Sequence, residues 1–373
     1  MLKAISVLDR YLIGQLSVFF SFSVSLFTSL GVAIGTISDL AAKVSDYQLP
    51  IDVAILIFCY KIPEYAAYAL PISTLLTGLV VYSRLQSDRE LIALFSFGIS
   101  FYRIIGVTLI FSLIITGVTF LLNELIVPAA NYQANLLQKP FIPRTELNLQ
   151  QQNIYYAEYD SNKDYYDNKK LENIYFAEQY AESTLKGITI ISYQQQRLNR
   201  IITAQSAQWN QSQQVWDFNL GTIYHFNVSA EQNYLEEFTV KQLPLPKTIF
   251  EIIERKRSPE AMNIRQAQEY LSLIDNSGKP GDILKFKVVI GQKCAFPFIC
   301  IVFALIGTVL GAKYGQLNRA RSFGLCVAIV FAYYCLGFAC GSLGITAVIS
   351  PALAAWLPNA IVLATGIYLL LKF

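Results

Sequence analysis

The chain is poor in residues that do chemistry. Among 373 residues there is one histidine, His225, set in a tyrosine-rich strand-like stretch where a packed or surface ring is the plainer reading. No run ends in the Gly-Lys-Ser/Thr of a phosphate-cradling loop, so the chain is not expected to hydrolyse nucleotides itself. Its long apolar runs are nearly free of ionisable groups, which argues against an ion-coupled transporter built on a proton relay. Asp52 and Glu64 are acids near the outer half of the early runs, and neither has a partner acid at a spacing suited to acid–base work. If this protein moves something uphill, the energy is expected from a partner.

Disulfides and zinc sites are absent from the pattern too. Cys59, Cys294, Cys300, Cys326, Cys335 and Cys340 all lie in apolar runs, and their spacing suits no zinc site. The polar part of the chain has no cysteine, so it must stand on its own hydrophobic core.

What the chain has in excess is apolar surface. Hydrophobic residues make up 54% and the mean hydropathy is +0.41, well above an ordinary soluble domain. These residues are packed into 11–122 and 288–372, while the stretch between is rich in Tyr, Gln, Asn and Glu. Residues 124–285 hold 16 Lys and Arg against 19 Asp and Glu, leaving 13 against 7 elsewhere. The membrane part is basic and the polar part mildly acidic.

Six runs are long enough to cross a bilayer. The first, Tyr11–Ile37, is too long for a cleaved secretory signal and is expected to stay as an anchor. Its Gly14, Gly31 and Gly35 let helices approach closely in lipid. The second, Val53–Tyr82, carries Pro63 and Pro71, with Lys61 and Glu64 beside them as a snorkelling pair at a kink. The third, Phe101–Leu122, ends at Asn123-Glu124; the last three are Cys294–Ala312, Ser322–Leu343 and Pro351–Leu370.

Between the second and third runs lies Ser83–Ile99, SRLQSDRELIALFSFGI. It carries Arg84, Asp88, Arg89 and Glu90, while Leu85, Ile92, Phe95 and Ile99 recur at helical spacing and Gly98 stands where a helix would be capped. The spacing predicts a short amphipathic helix on the cytoplasmic face, a handle by which something else could move the protein.

In the polar stretch the period changes. Six segments rich in β-branched and aromatic residues read as strands: Asn153–Tyr159, Asn173–Tyr180, Gly187–Tyr193, Ile201–Trp209, Val215–Phe226 and Tyr234–Val240. The first two, NIYYAEY and NIYFAEQY, are near copies and look like paired strands. Short regular strands of this kind suggest a sandwich or jelly roll, and Pro259–Ser277 reads as a helix leading back to the membrane.

Charge sets the orientation. With a cytoplasmic N-terminus, the inner side holds Lys3, Arg10, Arg84, Arg89, Arg103, Lys313, Arg319, Arg321 and Lys372, against Lys43 in the short outer loops. The expected fold is an α+β membrane protein, with six transmembrane helices arranged three and three around an inserted periplasmic β-jelly-roll-like domain. Its boundaries are 1–122 for the first three spans with the cytoplasmic helix 83–99, 123–285 for the β domain, and 286–373 for the last three spans. The expected location is the inner membrane, with no nucleic-acid partner.

Several blocks carry a resemblance: LDRYL (Leu8–Leu12), Ala69–Ser100, NELIVP (Asn123–Pro128), KCAFPF (Lys293–Phe298) and SPALAAWLPN (Ser350–Asn359). In this order the chain resembles the YjgP/YjgQ permeases, LptF and LptG, of lipopolysaccharide export, over essentially its whole length. The resemblance implies a permease that pairs with a second permease, or with itself, around an outward-opening cavity. It implies a dimeric ABC-type ATPase beneath, LptB-like, which binds the ATP, so this chain needs no cofactor of its own. Lipopolysaccharide would pass sideways between the first span of one subunit and the fifth of the other. From there it would reach the external jelly rolls and LptC- and LptA-like proteins beyond. The helix between spans two and three would dock into the ATPase through the acid at Glu90, with Arg84, Asp88 and Arg89 beside it.

One departure stands out. Where such permeases carry several lysines at the outer end of the first span, Ile37–Val44 keeps only Lys43, near Asp39. Lys43 is the candidate contact for a head-group phosphate. Two other readings stay open on the residues alone. One is a receptor or channel with a ligand-binding external β domain and no ATPase; the other is an enzyme acting on lipid-linked sugars, for which no convincing set of acids is present.

Overall fold

The computed structural model describes residues 6–138, 140–141, 152–159, 171–181, 184–194, 197–210, 215–226, 234–243, 262–274, 280–313 and 319–372. They form two units, Met1–Phe141 with Lys287–Phe373, and Ile142–Phe286.

The first unit begins with α1 (Val7–Tyr47), a helix of 41 residues and about 60 Å. Ser6 and Asp9 form a capping box: the Ser6 hydroxyl accepts from the Asp9 amide at 3.2 Å, and the Asp9 carboxylate from the Ser6 amide at 3.1 Å. No proline interrupts it, so α1 is an unbroken rod running beyond both ends of its apolar run. α2 (Ile51–Ser87) keeps Pro63 and Pro71 inside the helix. α3 (Glu90–Ser96) is short, and α4 (Phe101–Leu121) follows.

α4 does not stop at Asn123-Glu124. It passes through a π-helical turn, Leu122–Ile126, into α5 (Val127–Gln138). Pro128 has no N–H to give the carbonyl four residues back, and the wider turn just ahead of it absorbs the mismatch. On the far side of the β insert, α7 (Pro280–Ala295) leads through a 3₁₀ turn, Phe296–Phe298, into α8 (Ile299–Lys313). α9 (Arg319–Ile345) and α10 (Pro351–Leu371) close the chain.

Among the described residues six segments are long and apolar enough to span a membrane: Val7–Tyr47, Ile51–Ser87, Phe101–Gln138, Ile283–Lys313, Ala320–Ile345 and Pro351–Leu371. The burial of their apolar windows sorts them, at 78% and 72% for the second and fourth but 11% for the first and fifth. α2 and α8 therefore form the centre of this unit, and α1 and α9 leave most of their surface uncovered. The α2–α8 crossing is made by glycine. A Cβ on Gly307 would lie 2.6 Å from the Leu75 carbonyl oxygen, and one on Gly311 2.8 Å from that of Leu79. α1 approaches α2 by the same means, with Gly31 and Gly35 lying against the Tyr65 ring.

The second unit holds β1 (Gln152–Tyr159), β2 (Leu171–Ala181), β3 (Thr184–Gln194), β4 (Arg197–Asn210), β5 (Val215–His225) and β6 (Tyr234–Leu243). All pair antiparallel in the order β1-β2-β3-β4-β5-β6, so the described strands of the jelly-roll-like insert form a consecutive meander in one sheet. The near-duplicate segments pair as β1 and β2, with Tyr155 opposite Phe176. One face of the sheet is apolar: Ile188, Ile190, Ile202, Trp216, Phe218 and Ile223 are buried in a single cluster. The helix expected at 259–277 is α6 (Ile264–Ile274), and residues 259–261 and 275–277 lie outside the described residues. Tyr270 of α6 stacks on Phe286, with centroids 4.9 Å apart.

Candidate functional site

The charged stretch between the second and third spans does not fold as one helix over 83–99. Ser83–Ser87 form the last turn of α2, and Arg89 takes a left-handed conformation, φ 60 and ψ 13, between Asp88 and α3. The break restarts the helical phase. Leu85 remains buried on α2, but on α3 the buried position is Leu91. Ile92, which the seven-residue spacing from Leu85 would bury, is 51% exposed, and Phe97 is 84% exposed. Phe95 and Ile99 do pack on the core between α1, α2, α4 and α8, as their spacing predicts.

Gly98 closes α3, with φ 79. Its N–H donates to the Phe95 carbonyl at 2.9 Å, and that of Ile99 to Leu94 at 3.1 Å, the paired bonds of a Schellman cap. A residue with a Cβ would be strained there.

Three side chains of this segment reach back to the base of α1. Arg84 donates to the Gln15 amide oxygen at 3.2 Å and lies 3.5 Å from Asp88. Glu90 accepts from the Tyr11 hydroxyl at 2.8 Å. Arg103, in the first turn of α4, contacts both carboxylate oxygens of Asp9 at 2.8 and 2.7 Å. As the chain advances through 84, 90 and 103, its partners descend α1 through 15, 11 and 9, so the ties form an ordered collar. Inside the collar Leu12 and Leu16 are fully buried, at 0% and 1% exposure. Beside it Arg10, Tyr11, Gly14, Gln15, Val18 and Arg84 line an open groove of about 840 Å³.

The sequence singled out Arg84, Asp88, Arg89 and Glu90, and the structure sets all four in this one region. Asp88 and Arg89 are exposed, whereas Glu90 is half-buried against Tyr11. Tyr11, Asp9 and Arg103 were not singled out, because partners 79 and 94 residues away leave no local pattern. Lys43 is elsewhere, near the other end of α1. Its ammonium donates to Asp39 at 2.7 Å and to Gln138 of α5 at 3.1 Å. Lys61 and Glu64, on either side of Pro63 in α2, pair at 2.9 Å.

Among the described residues no group of three or more His, Cys, Asp or Glu is placed to hold a metal ion. His225 lies in the β sheet, stacked on Tyr234 at 4.3 Å and 3.4 Å from Glu236.

No curated protein matches the chain. The sequence pattern of the lipopolysaccharide export system permease family, LptF/LptG, matches residues 10–372 of the 373. That span takes in the inserted sheet, nearly the whole of the six membrane-crossing helices and all of the collar but Asp9. The chain is thus a multi-pass inner-membrane permease subunit with a large periplasmic domain, a member of the LptF/LptG family.

Proposed function

We propose that this subunit moves lipopolysaccharide, or a closely related glycolipid, out of the inner membrane and onto its own periplasmic sheet. A separate ABC-type ATPase dimer docked beneath α3 drives it. The observation that carries this reading is the exposed tip of the cytoplasmic segment. Ile92 faces outward on a seven-residue helix, and Asp88, Arg89 and Phe97 face outward at its two ends, the start of the helix being tied to the first span. A docking surface of apolar and charged groups on a short, well-anchored element suits a mechanical handle.

The uncovered surfaces of α1 and α9 accommodate a second permease, a sister subunit or another copy of this chain, around a shared cavity. Extracting a multi-chain lipid requires an apolar wall, since each methylene left in water costs about 0.8 kcal/mol. The periplasmic sheet receives the lipid next, and LptC- and LptA-like jelly rolls continue its path. Lys43 serves as a phosphate contact by exchanging Gln138 for the head group.

Charge reversal at Glu90 tests the reading. In a reconstituted complex Glu90→Lys uncouples ATP hydrolysis from lipid release, and the purified chain alone hydrolyses no ATP above background. Full export by the variant would remove the docking claim.

A further inference from the structure

The collar at the base of α1 assigns Tyr11 a role that its place in an apolar run does not suggest. We propose that Tyr11 is the positioning residue of the drive. Its hydroxyl holds the Glu90 carboxylate to the base of α1, so that α3 and the first span move as one piece. The proposal rests on the reading of α3 as the ATPase handle.

Four observations converge on it. The Tyr11–Glu90 bond, at 2.8 Å, joins an aromatic hydroxyl to a carboxylate across 79 residues of sequence. Hydrogen bonds to an ionised acceptor are the stronger kind. The same carboxylate is the acid at the start of the exposed handle, so a pull on that carboxylate reaches Tyr11 directly. The Asp9–Arg103 and Gln15–Arg84 ties flank it on either side, which prevents the base of α1 from swivelling about a single bond. Finally, α1 is a lever. It has no proline along 41 residues, most of its surface is uncovered, and its far end is tied to α5 through Lys43 and Gln138.

α2, by contrast, is a poor transmitter of the same push. It carries two prolines between its ends, and its middle is locked against α8 by the glycine crossing. Movement of α3 therefore passes to α1, and Tyr11 is the contact through which it passes.

The test separates hydroxyl from charge. Tyr11→Phe removes the donor and keeps the ring, while Glu90→Gln keeps an acceptor for Tyr11 and removes the charge. The complex would be purified from native membranes through a tag on this chain and placed in nanodiscs with ATP, or with ATP and vanadate. Spin labels would sit at Gly14→Cys, where a side chain meets open space, and at exposed Ser96→Cys, with Cys59, Cys294 and Cys335 replaced by serine. In the parent, the Gly14–Ser96 distance stays narrow in every nucleotide state. In Tyr11→Phe it broadens with vanadate, and lipid released per ATP falls roughly tenfold while hydrolysis persists. In Glu90→Gln the distance stays narrow but hydrolysis by the complex falls.

Parent-like lipid release per ATP and a narrow distance in Tyr11→Phe would overturn the proposal. If Glu90→Gln and Glu90→Lys both left hydrolysis and export at parent levels, the handle itself would be misplaced and the proposal would fall with it. The two failures have different signatures, because the first leaves the Glu90 variants impaired.

Discussion

Asn359 and Tyr333 are joined inside the membrane unit: the Tyr333 hydroxyl donates to the Asn359 amide oxygen at 2.8 Å. The amide nitrogen of the same side chain donates to the Ala295 carbonyl, also at 2.8 Å. That carbonyl needs a partner because the chain switches to a 3₁₀ turn at Phe296, and the Ile299 N–H goes to Phe296 and Pro297 instead. Two of the blocks that carried the family resemblance, around Pro297 and around Pro358, thus meet at one amide.

Replacing Asn359 with leucine should strand both partners. An unpaired buried polar group costs about 1–3 kcal/mol, and the half-buried Tyr333 hydroxyl counts for less than the buried Ala295 carbonyl, so the variant should lose roughly 2–4 kcal/mol. Thermal unfolding of the full chain in detergent would show a clear drop in midpoint. A midpoint equal to the parent's would mean that the bridge contributes nothing.

The α2–α8 crossing should be intolerant of even one methyl group. Gly307→Ala places a carbon 2.6 Å from the Leu75 carbonyl, and the helices must separate. Overpacking of this kind costs about 1–3 kcal/mol. Gly324→Ala, where a Cβ meets nothing within 4 Å, is the matched control and should leave stability unchanged. Equal melting behaviour for the two variants would contradict the crossing as the centre of the bundle.

Phe97 is the most exposed aromatic described on the cytoplasmic segment. Phe97→Asp should weaken assembly with the ATPase without disturbing the fold, because the side chain buries nothing within this chain. Co-purification of the ATPase, measured against unchanged thermal stability, is the readout. Undiminished recovery would take Phe97 off the docking surface.

The last strand should loosen in acid. The Lys241 ammonium, and after it His225, hold the Glu236 carboxyl below its ordinary value, and the Lys241 contact is 2.5 Å. A depressed carboxylate adds stability that is complete above the unfolded value, near ~4.3, and fades as pH falls through the lower folded value. Hydrogen exchange of β6 amides, corrected for intrinsic rates, should therefore accelerate in that acid window. Glu236→Gln should remove the pH dependence, and an unchanged acid response in that variant would assign it to another group.

What the sequence disclosed follows from how local each signal is. The six described strands were legible because β-branched and aromatic residues recur between polar turns, and each run stands close to its observed bounds. Their arrangement as one consecutive sheet was not, since pairing order leaves no trace in a single strand. The spans were plain from apolar length alone. The break at Arg89 was hidden because no glycine or proline marks it, and the stripe through Leu85 and Ile92 crossed it unnoticed. Tyr11 looked like the first residue of an apolar run, and only the folded chain brings Glu90 to its hydroxyl. The departure at Lys43 was visible as a missing set of lysines, yet its tie to Gln138 depends on α5, where the sequence suggested that the span had already ended.

That extension has a geometric corollary. The wide turn at Leu122–Ile126 takes up one residue more than an α-helical turn would, so everything beyond it is rotated by about 100° around the axis. Ala130, Asn131, Ala134 and Gln138 face inward on α5 only because of that offset, and Ala134 packs there with Leu40, Leu49 and Ile57. Deleting a single residue between Leu122 and Ile126 would hardly shorten the rod. It would spin its last third, carrying Gln138 out of reach of Lys43 and turning an alanine seam away from Leu40, Leu49 and Ile57.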